Sequence, residues 1–207
     1  NMFFAFARYL RDLDVEADVY CISNSDMNHF SVNADTFLDT NKLEYIKYFP
    51  SKIDTKSWIF FNKEQIYNTF KDYDIVISCG RSSAFLQRAG ICSDIIIPYG
   101  SDLYSVPFKN FNFSISFKMM IKSYFQHSIA KYQIKAYSNT KVLIIDNKYK
   151  LYKEALAKLK LNSYDFGIPM LYNLENIDTN ENRKLWNFLD EYDFIVFNHS
   201  RQHWFSN

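Results

Sequence analysis

Short apolar runs alternate with amphipathic helical segments along the chain, and this alternation constrains the fold more than any other feature. Helical periodicity of apolar residues is clearest at the start, where Phe3, Phe6, Ala7 and Leu10 are spaced i, i+3, i+4 and i+7. The segments predicted to be helical are 3–10, 63–73, 82–89, 114–137, 148–161 and 183–192. The apolar runs predicted to be strands are 15–22, 74–79, 95–98, 141–146 and 194–197. Strands separated by helices form a mostly parallel sheet covered on both faces, so we predict an α/β, Rossmann-like fold.

Composition supports a packed protein. Of the 207 residues, 48% are hydrophobic and 19% are aromatic, which is unlike the composition of disordered chains. The three cysteines lack metal-ligand spacing, and Cys21 and Cys79 lie in apolar runs, so reduced thiols and a cytoplasmic location are expected. No apolar run approaches the roughly 20 residues that span a bilayer. We predict no metal and no cofactor.

Polar residues come immediately after the apolar run of two predicted strands. In open α/β sheets, ligands bind beyond the carboxyl ends of the strands. The chain has only four glycines, and two of them stand at these strand ends. The residues that follow the two strands, and are therefore candidates for ligand binding, are Gly80, Arg81, Ser82, Gly100, Ser101 and Asp102.

The segment Cys79–Ala84 lies between a predicted strand and a predicted helix. The N–H groups at a helix start can bind a phosphate-like anion, and Arg81 would add charge-assisted hydrogen bonds. Ordinary helix capping by Gly80 and the serines is an equally simple interpretation. A third interpretation is the nucleophile elbow of a hydrolase around Ser82, but the second glycine of the G-x-S-x-G motif is missing. A nucleophilic role for Cys79 would require a base that the sequence does not reveal.

The region Lys109–Lys141 is basic although the whole chain has a formal charge of only +1. No Asp or Glu occurs between Leu103 and Ile145, whereas six lysines do, interleaved with many aromatic residues. Lysines beside aromatic residues suit an anionic membrane surface, which would make the protein peripheral on the inner face of the cell membrane. A solvated helix face is the alternative. Nucleic acid is disfavoured, because the region contains no arginine.

Three segments resemble parts of GT-B glycosyltransferases when taken in order. Residues 1–13, followed by 15–20, resemble the first helix and second strand of that fold, in which a first strand and a Gly-Gly loop would precede Asn1. The segment Ile97–Leu103 (Ile-Pro-Tyr-Gly-Ser-Asp-Leu) resembles the acceptor-side loop of bacterial family 4 retaining enzymes. The segment His199–Trp204 resembles the Ser-Arg-His-Trp type of segment at the crossover into their second domain.

The resemblance implies an amino-terminal, acceptor-binding domain at residues 1–192 and a crossover segment at 193–207. A separate domain would bind the nucleotide sugar, so residues 1–207 alone are expected to be inactive. The parent enzyme would transfer a sugar to a glycan or lipid-linked acceptor in bacterial surface polysaccharide synthesis. A non-catalytic Rossmann-like binding or interaction module is the alternative, because fold alone does not determine function.

The resemblance also assigns roles to individual residues. Asp102 would bind an acceptor hydroxyl or orient the leaving group, and as a residue at the sheet edge it is expected to need no deep burial. The alternative for Asp102 is a turn in which it satisfies local backbone N–H groups. His199, Arg201 and His203 alternate, so they can share one face of a strand end, where Arg201 could meet a diphosphate. A structural or linker role is the alternative for these three residues.

Overall fold

The computed structural model describes residues 2–22, 44–113, 116–145 and 149–165. The chain divides into two units, Asn1–Met170 and Leu171–Asn207, and all the described residues belong to the first unit. The helix predicted at 183–192, the strand predicted at 194–197 and the domain boundary predicted after residue 192 lie outside the described residues.

The predicted long helices are present, with bounds that differ by a few residues. Helix α1 opens the chain, α4 ends at Gly90 as its sequence predicts, and α6 is the longest described helix at 23 residues. Short helices α2 and α5 were not predicted. The helices are α1 (Met2–Asp12), α2 (Thr55–Ile59), α3 (Lys63–Phe70), α4 (Ser82–Ala89), α5 (Ser101–Tyr104), α6 (Phe117–Asn139) and α7 (Lys150–Leu159), with a 3₁₀ turn at Val106–Phe108.

The described strands form two parallel sheets, which confirms the α/β class. Strands β1 and β2 form one sheet, and β3 to β6 form the other in the order β3-β4-β5-β6. Every pairing among these strands is parallel. The strands are β1 (Val19–Cys21), β2 (Ile46–Tyr48), β3 (Ile77–Ser78), β4 (Ile95–Ile96), β5 (Val142–Ile145) and β6 (Tyr164–Asp165).

The strands are shorter than the apolar runs that predicted them. Strand β4 ends before Pro98, which has no N–H to donate to a neighbouring strand. The last backbone hydrogen bond between the two neighbours is donated by Ile97 to the carbonyl of Ser78, at 3.0 Å. The carboxyl ends of β3 and β4 therefore lie side by side at one edge of the sheet.

The largest core cluster lies among α2, α3, α4 and α6 and is built around Trp58, which is 1% exposed. The Trp58 ring contacts Phe85 of α4 edge-on at 4.9 Å and Tyr132 of α6 at 5.4 Å between centroids. Its indole N–H donates to the Ser128 hydroxyl at 3.2 Å. These contacts fix α4 against α6, and both helices flank the carboxyl edge of β3.

A second cluster fills the space between the four-stranded sheet and helices α6 and α7. Ile96, Leu143 and Ile145 supply the sheet side, and Ala155 of α7 is completely buried against them. Leu103 of α5 belongs to the same cluster and is also completely buried. The short helix α5 is thus anchored in the core, and it holds the loop that follows β4 against the end of the sheet.

A polar cluster joins the two-stranded sheet to the end of α3. The Asp18 carboxylate accepts hydrogen bonds from the Lys47 ammonium and the Tyr73 hydroxyl, and the Tyr73 and Tyr20 hydroxyls are 3.0 Å apart. These hydrogen bonds lower the pKa of Asp18 against the opposing effect of burial. The cluster gives the two-stranded sheet a polar connection to the segment that leads from α3 into β3.

Candidate functional site

The candidate site is the carboxyl edge of β3 and β4, where the two predicted loops emerge side by side. Ile77 lies opposite Ile95 and Ser78 opposite Ile96 in the parallel register. The loop after β3 begins at Cys79, and the loop after β4 begins at Ile97. Parallel neighbours with this register deliver both loops to one edge, as the sequence predicts.

Asp102 links these two loops. Its Oδ2 accepts from the backbone N–H of Gly80 at 3.0 Å, and its Oδ1 accepts from the backbone N–H of Tyr99 at 2.9 Å. One carboxylate therefore holds the end of β3 against the end of β4. The bond to Tyr99 is the local turn bond of the alternative interpretation, whereas the bond to Gly80 crosses between strands and was not predicted.

Asp102 is deeply buried, at only 5% exposed, although a carboxylate at the sheet edge was expected to need no deep burial. The next residue, Leu103, is buried in the core and draws Asp102 beneath its own loop. Burial is tolerable because two backbone N–H groups replace the water that the carboxylate loses. Desolvation nevertheless outweighs the hydrogen bonds and raises the pKa of Asp102 to about 6.

Gly80 and Gly100 both have positive φ, the backbone conformation that favours glycine. Gly80 has φ +57° and turns the chain from β3 into α4, while Gly100 has φ +116° and ψ −113° and precedes α5. The conformation of Gly100 lies outside the regions that residues with a Cβ adopt. Both glycines thus shape the edge through the backbone.

Two buried residues of α6, Gln133 and Tyr137, complete the site and were not predicted from the sequence. The Gln133 side-chain amide donates from Nε2 to the Gly80 carbonyl at 3.0 Å, and the Tyr137 hydroxyl lies 3.4 Å from Asp102 Oδ2. Burial beside Asp102 raises the pKa of Tyr137 well above its ordinary value. The only signal in the sequence was their i, i+4 spacing on a buried helix face.

Gln133 also carries an unusual orphan atom. The residue is 0% exposed, and its Oε1 has no hydrogen-bond partner among the described residues. A buried acceptor without a partner costs about 1–3 kcal/mol. The polar edge is therefore held together at some cost in stability.

The serines at the start of α4 are engaged internally. Ser82 is buried and its hydroxyl donates to the Cys79 carbonyl, while the Ser83 hydroxyl lies 2.8 Å from that of Ser78. Ser78 also donates to Ser93 at 2.8 Å. A nucleophile elbow needs an exposed hydroxyl, so this geometry does not fit the hydrolase interpretation.

Cys79 is likewise a poor nucleophile. The side chain is buried, and desolvation with the nearby Asp102 charge raises the pKa of its thiol to about 12. The thiol is therefore protonated at neutral pH, and the reactive thiolate is scarce.

The exposed groups at the edge are Arg81, Ser101 and Tyr99. Arg81 stands at the N-cap of α4, whose first N–H groups have no partner within the helix. Its side chain makes no capping hydrogen bond. The edge thus offers a cation and a hydroxyl beside the buried Asp102. His199, Arg201 and His203 lie outside the described residues.

One cavity of about 250 Å³ lies away from this edge. Its lining includes Val76 and Asp94, which stand at the amino ends of β3 and β4, together with Lys71 and Tyr73. The cavity is therefore at the amino edge of the sheet, opposite the carboxyl edge that forms the candidate site.

All six lysines of the basic region are exposed, namely Lys109, Lys118, Lys122, Lys131, Lys135 and Lys141. Lys141 also forms an ion pair with Asp94 at 2.7 Å. Its charge is thus matched by a neighbouring carboxylate.

Comparisons with family models, with curated proteins and with solved structures gave no match to this sequence.

Proposed function

We propose that the chain is the acceptor-binding, amino-terminal domain of a retaining glycosyltransferase of the GT-B type. The parent enzyme would transfer a sugar from a nucleotide sugar to a glycan or lipid-linked acceptor in bacterial surface polysaccharide synthesis. The donor would be bound by a second domain, so the 207 residues alone would carry no transferase activity.

The observation that carries this proposal is the joining of two strand-end loops by Asp102. A buried carboxylate that binds Gly80 N–H and Tyr99 N–H keeps both loops in one arrangement. Binding sites gain affinity when their groups are fixed in advance. A fixed edge with exposed polar groups is suited to a ligand rich in hydroxyls.

Within this proposal, Asp102 is a positioning residue. Both of its oxygens already accept hydrogen bonds, and it is 5% exposed. Acceptor contacts then fall to Ser101, to Arg81 and to the backbone of the glycine loops. An acceptor with a phosphate, such as a lipid-linked sugar, would be matched by the exposed Arg81.

The proposal is tested with the full-length gene product and a panel of nucleotide sugars and lipid-linked acceptors. We expect release of the nucleoside diphosphate only when the acceptor is present. Arg81→Ala should raise the acceptor KM about tenfold, the loss of a charge-assisted hydrogen bond. Lys63→Ala, which removes an exposed charge on α3, is the matched control. A full-length protein that releases no nucleotide with any donor would refute the transferase assignment.

A non-catalytic binding module is the second candidate, favoured by the burial of Asp102. A buried carboxylate whose oxygens accept hydrogen bonds from two backbone N–H groups and a tyrosine hydroxyl fits a structural role without catalysis. This candidate predicts that the chain binds a ligand at the strand edge while the full-length protein turns over no donor. Saturation-transfer NMR on the 207-residue chain, with Arg81→Ala beside Lys63→Ala, measures that binding independently of turnover.

A further inference from the structure

A group of tyrosines lies at the carboxyl edge of β4 and β5, beside the candidate site. We call this group the tyrosine platform, and its members are Tyr99, Tyr104, Tyr149 and Tyr152. The first two follow β4, and the other two stand at the start of α7, which follows β5. Because β4 and β5 pair in parallel, both pairs of tyrosines emerge at one edge. A third strand end therefore contributes to the edge formed by β3 and β4.

The rings of the platform contact one another and the glycine loop. The Tyr104 and Tyr152 rings are stacked, with 28° between their planes and 6.1 Å between their centroids. Tyr149 packs against Tyr152 at 5.5 Å between centroids. Tyr104 also lies beside Gly100, because a Cβ at that position would be 3.8 Å from the Tyr104 hydroxyl oxygen. The platform is therefore continuous with the loop that Asp102 holds in place.

The rings are anchored in the fold and yet accessible to a ligand. Tyr149 is 60% exposed, Tyr99 is 50% exposed and Tyr104 is 39% exposed. Tyr152 is half-buried, because its ring also packs against the second core cluster. Helix α5, which carries Tyr104, is anchored by the completely buried Leu103. The platform thus presents aromatic surface that is fixed in advance of binding, which favours affinity.

From this arrangement we propose that the tyrosine platform binds a sugar ring of a glycan by stacking. One face of a pyranose ring presents C–H bonds that pack against an aromatic ring, and the hydroxyls at its rim can bond to Ser101 and Arg81. Aromatic surface with a few polar groups is the usual lining of a small-molecule site. A second copy of the chain would bury about 800 Å² on each partner, far more than four partly exposed side chains offer. The kind of ligand rests on the proposed function, whereas the platform residues were not predicted as ligand contacts from the sequence.

The test is saturation-transfer NMR on the 207-residue chain with methyl glycosides as probes. In methyl β-D-glucopyranoside, the C–H bonds at C1, C3 and C5 point to one face of the ring and those at C2 and C4 point to the other. A stacked sugar receives more saturation on the face that meets the tyrosines, so we expect unequal signals from these two sets of protons. In methyl β-D-galactopyranoside the C4–H bond changes face, so its signal should change with it. Adenosine is the comparison probe for a nucleobase.

Variants at one position separate the ring from its hydroxyl. Tyr149→Ser removes the most exposed ring and should raise the Kd of the glycoside about fivefold. The Tyr149 side chain makes no capping hydrogen bond, so its loss should leave α7 intact. Tyr149→Phe keeps the ring and should retain most of the affinity. Tyr67→Ser, at an exposed tyrosine of α3 beside the amino-edge cavity, is the matched control and should leave the Kd unchanged.

The proposal is overturned if no glycoside receives saturation, if both faces receive it equally, or if adenosine binds more tightly than any glycoside. It is also overturned if Tyr67→Ser weakens binding as much as Tyr149→Ser does.

Failure of the platform and failure of the proposed function give different results. One-sided saturation that Tyr149→Ser reduces, in a full-length protein that releases no nucleotide, would support the platform and refute the transferase. Nucleotide release with an acceptor KM that Tyr149→Ser leaves unchanged would support the transferase and overturn the platform.

Discussion

Replacing Asp102 by Asn tests whether a buried charge joins the two strand ends. The side chain keeps its shape but loses its charge and one acceptor. One of the two N–H groups of Gly80 and Tyr99 then faces an amide NH₂, a donor opposite a donor. An unpartnered buried N–H costs about 1–3 kcal/mol. At neutral pH this loss is partly offset by a relief of free energy, because the variant no longer buries a charge.

The size of that relief follows from the pKa. The pKa of Asp102 is about 6 in the folded chain, against 3.8 for an ordinary aspartate. A carboxyl whose pKa rises on folding holds its proton more tightly in the folded state, so its contribution to stability falls as the pH rises from about 4 to about 6. The full cost at pH 7 is about 3 kcal/mol. We therefore expect Asp102→Asn to destabilise the protein more at low pH than at neutral pH.

The measurement is urea unfolding of the wild type and the variant at pH 7 and pH 5. The difference in unfolding free energy between them should grow by about 1 kcal/mol on acidification, since the wild type becomes largely protonated. Asp18, Asp54 and Asp94 have lowered pKa values and therefore reduce stability in acid, which is the opposite pH dependence. Both proteins contain these three residues, so their effect cancels when the variant is compared with the wild type. Asp72→Asn, at an exposed position, is the control. A difference for Asp102→Asn that does not change with pH would refute the reasoning.

Two further predictions concern the glycine loops and the thiols. Gly100→Ala should lower the free energy of unfolding by about 1–3 kcal/mol in chemical denaturation, because φ +116° strains any residue with a Cβ. Gly80→Asn should lower it less, because φ +57° lies in the left-handed region that asparagine also adopts. Equal losses for the two variants would contradict this account. At pH 8 a thiol reagent should modify one of the three cysteines of the folded chain, the exposed Cys92, whereas Cys21 and Cys79 react only on unfolding because they are buried and their pKa values are raised to about 11 and about 12. Modification of all three in the folded chain would contradict the described core.

The sequence predicted the helices better than the strands, for a physical reason. Helix periodicity is a local property, and both α1 and α4 follow it closely. Strand length depends on where a neighbour is available for hydrogen bonding, so the run before Pro98 paired over fewer residues than its apolar character indicated. Strands β2 and β6 were missed because their residues are mostly exposed and lack an apolar run.

The position of the candidate site could be predicted, but not its construction. A strand that ends in Gly-Ser-Asp indicates an edge, and the edge is where it was expected. The bond from Gly80 N–H to Asp102 joins residues 22 positions apart, and the bond from Gln133 to Gly80 spans 53 positions. The first pairing depends on β3 and β4 being neighbours in the sheet, and the second depends on the packing of α6 against α4; no local pattern encodes either. The burial of Asp102 follows from the burial of the adjacent Leu103 in the core.

Helix α6 sets a fixed distance between two regions of different character. Its first turns carry Phe117 and Lys118, and its last turns carry Gln133 and Tyr137 beneath the polar edge. At 1.5 Å per residue, the axial separation of Phe117 and Gln133 is about 24 Å. If the basic region Lys109–Lys141 lies on a membrane surface, as its lysines and aromatic residues lead us to expect, and the helix stands upright, the strand edge lies about that far above the lipid. An acceptor anchored in the membrane would then reach the edge only if its polar portion were several sugar units long, whereas a tilted helix would admit a shorter one.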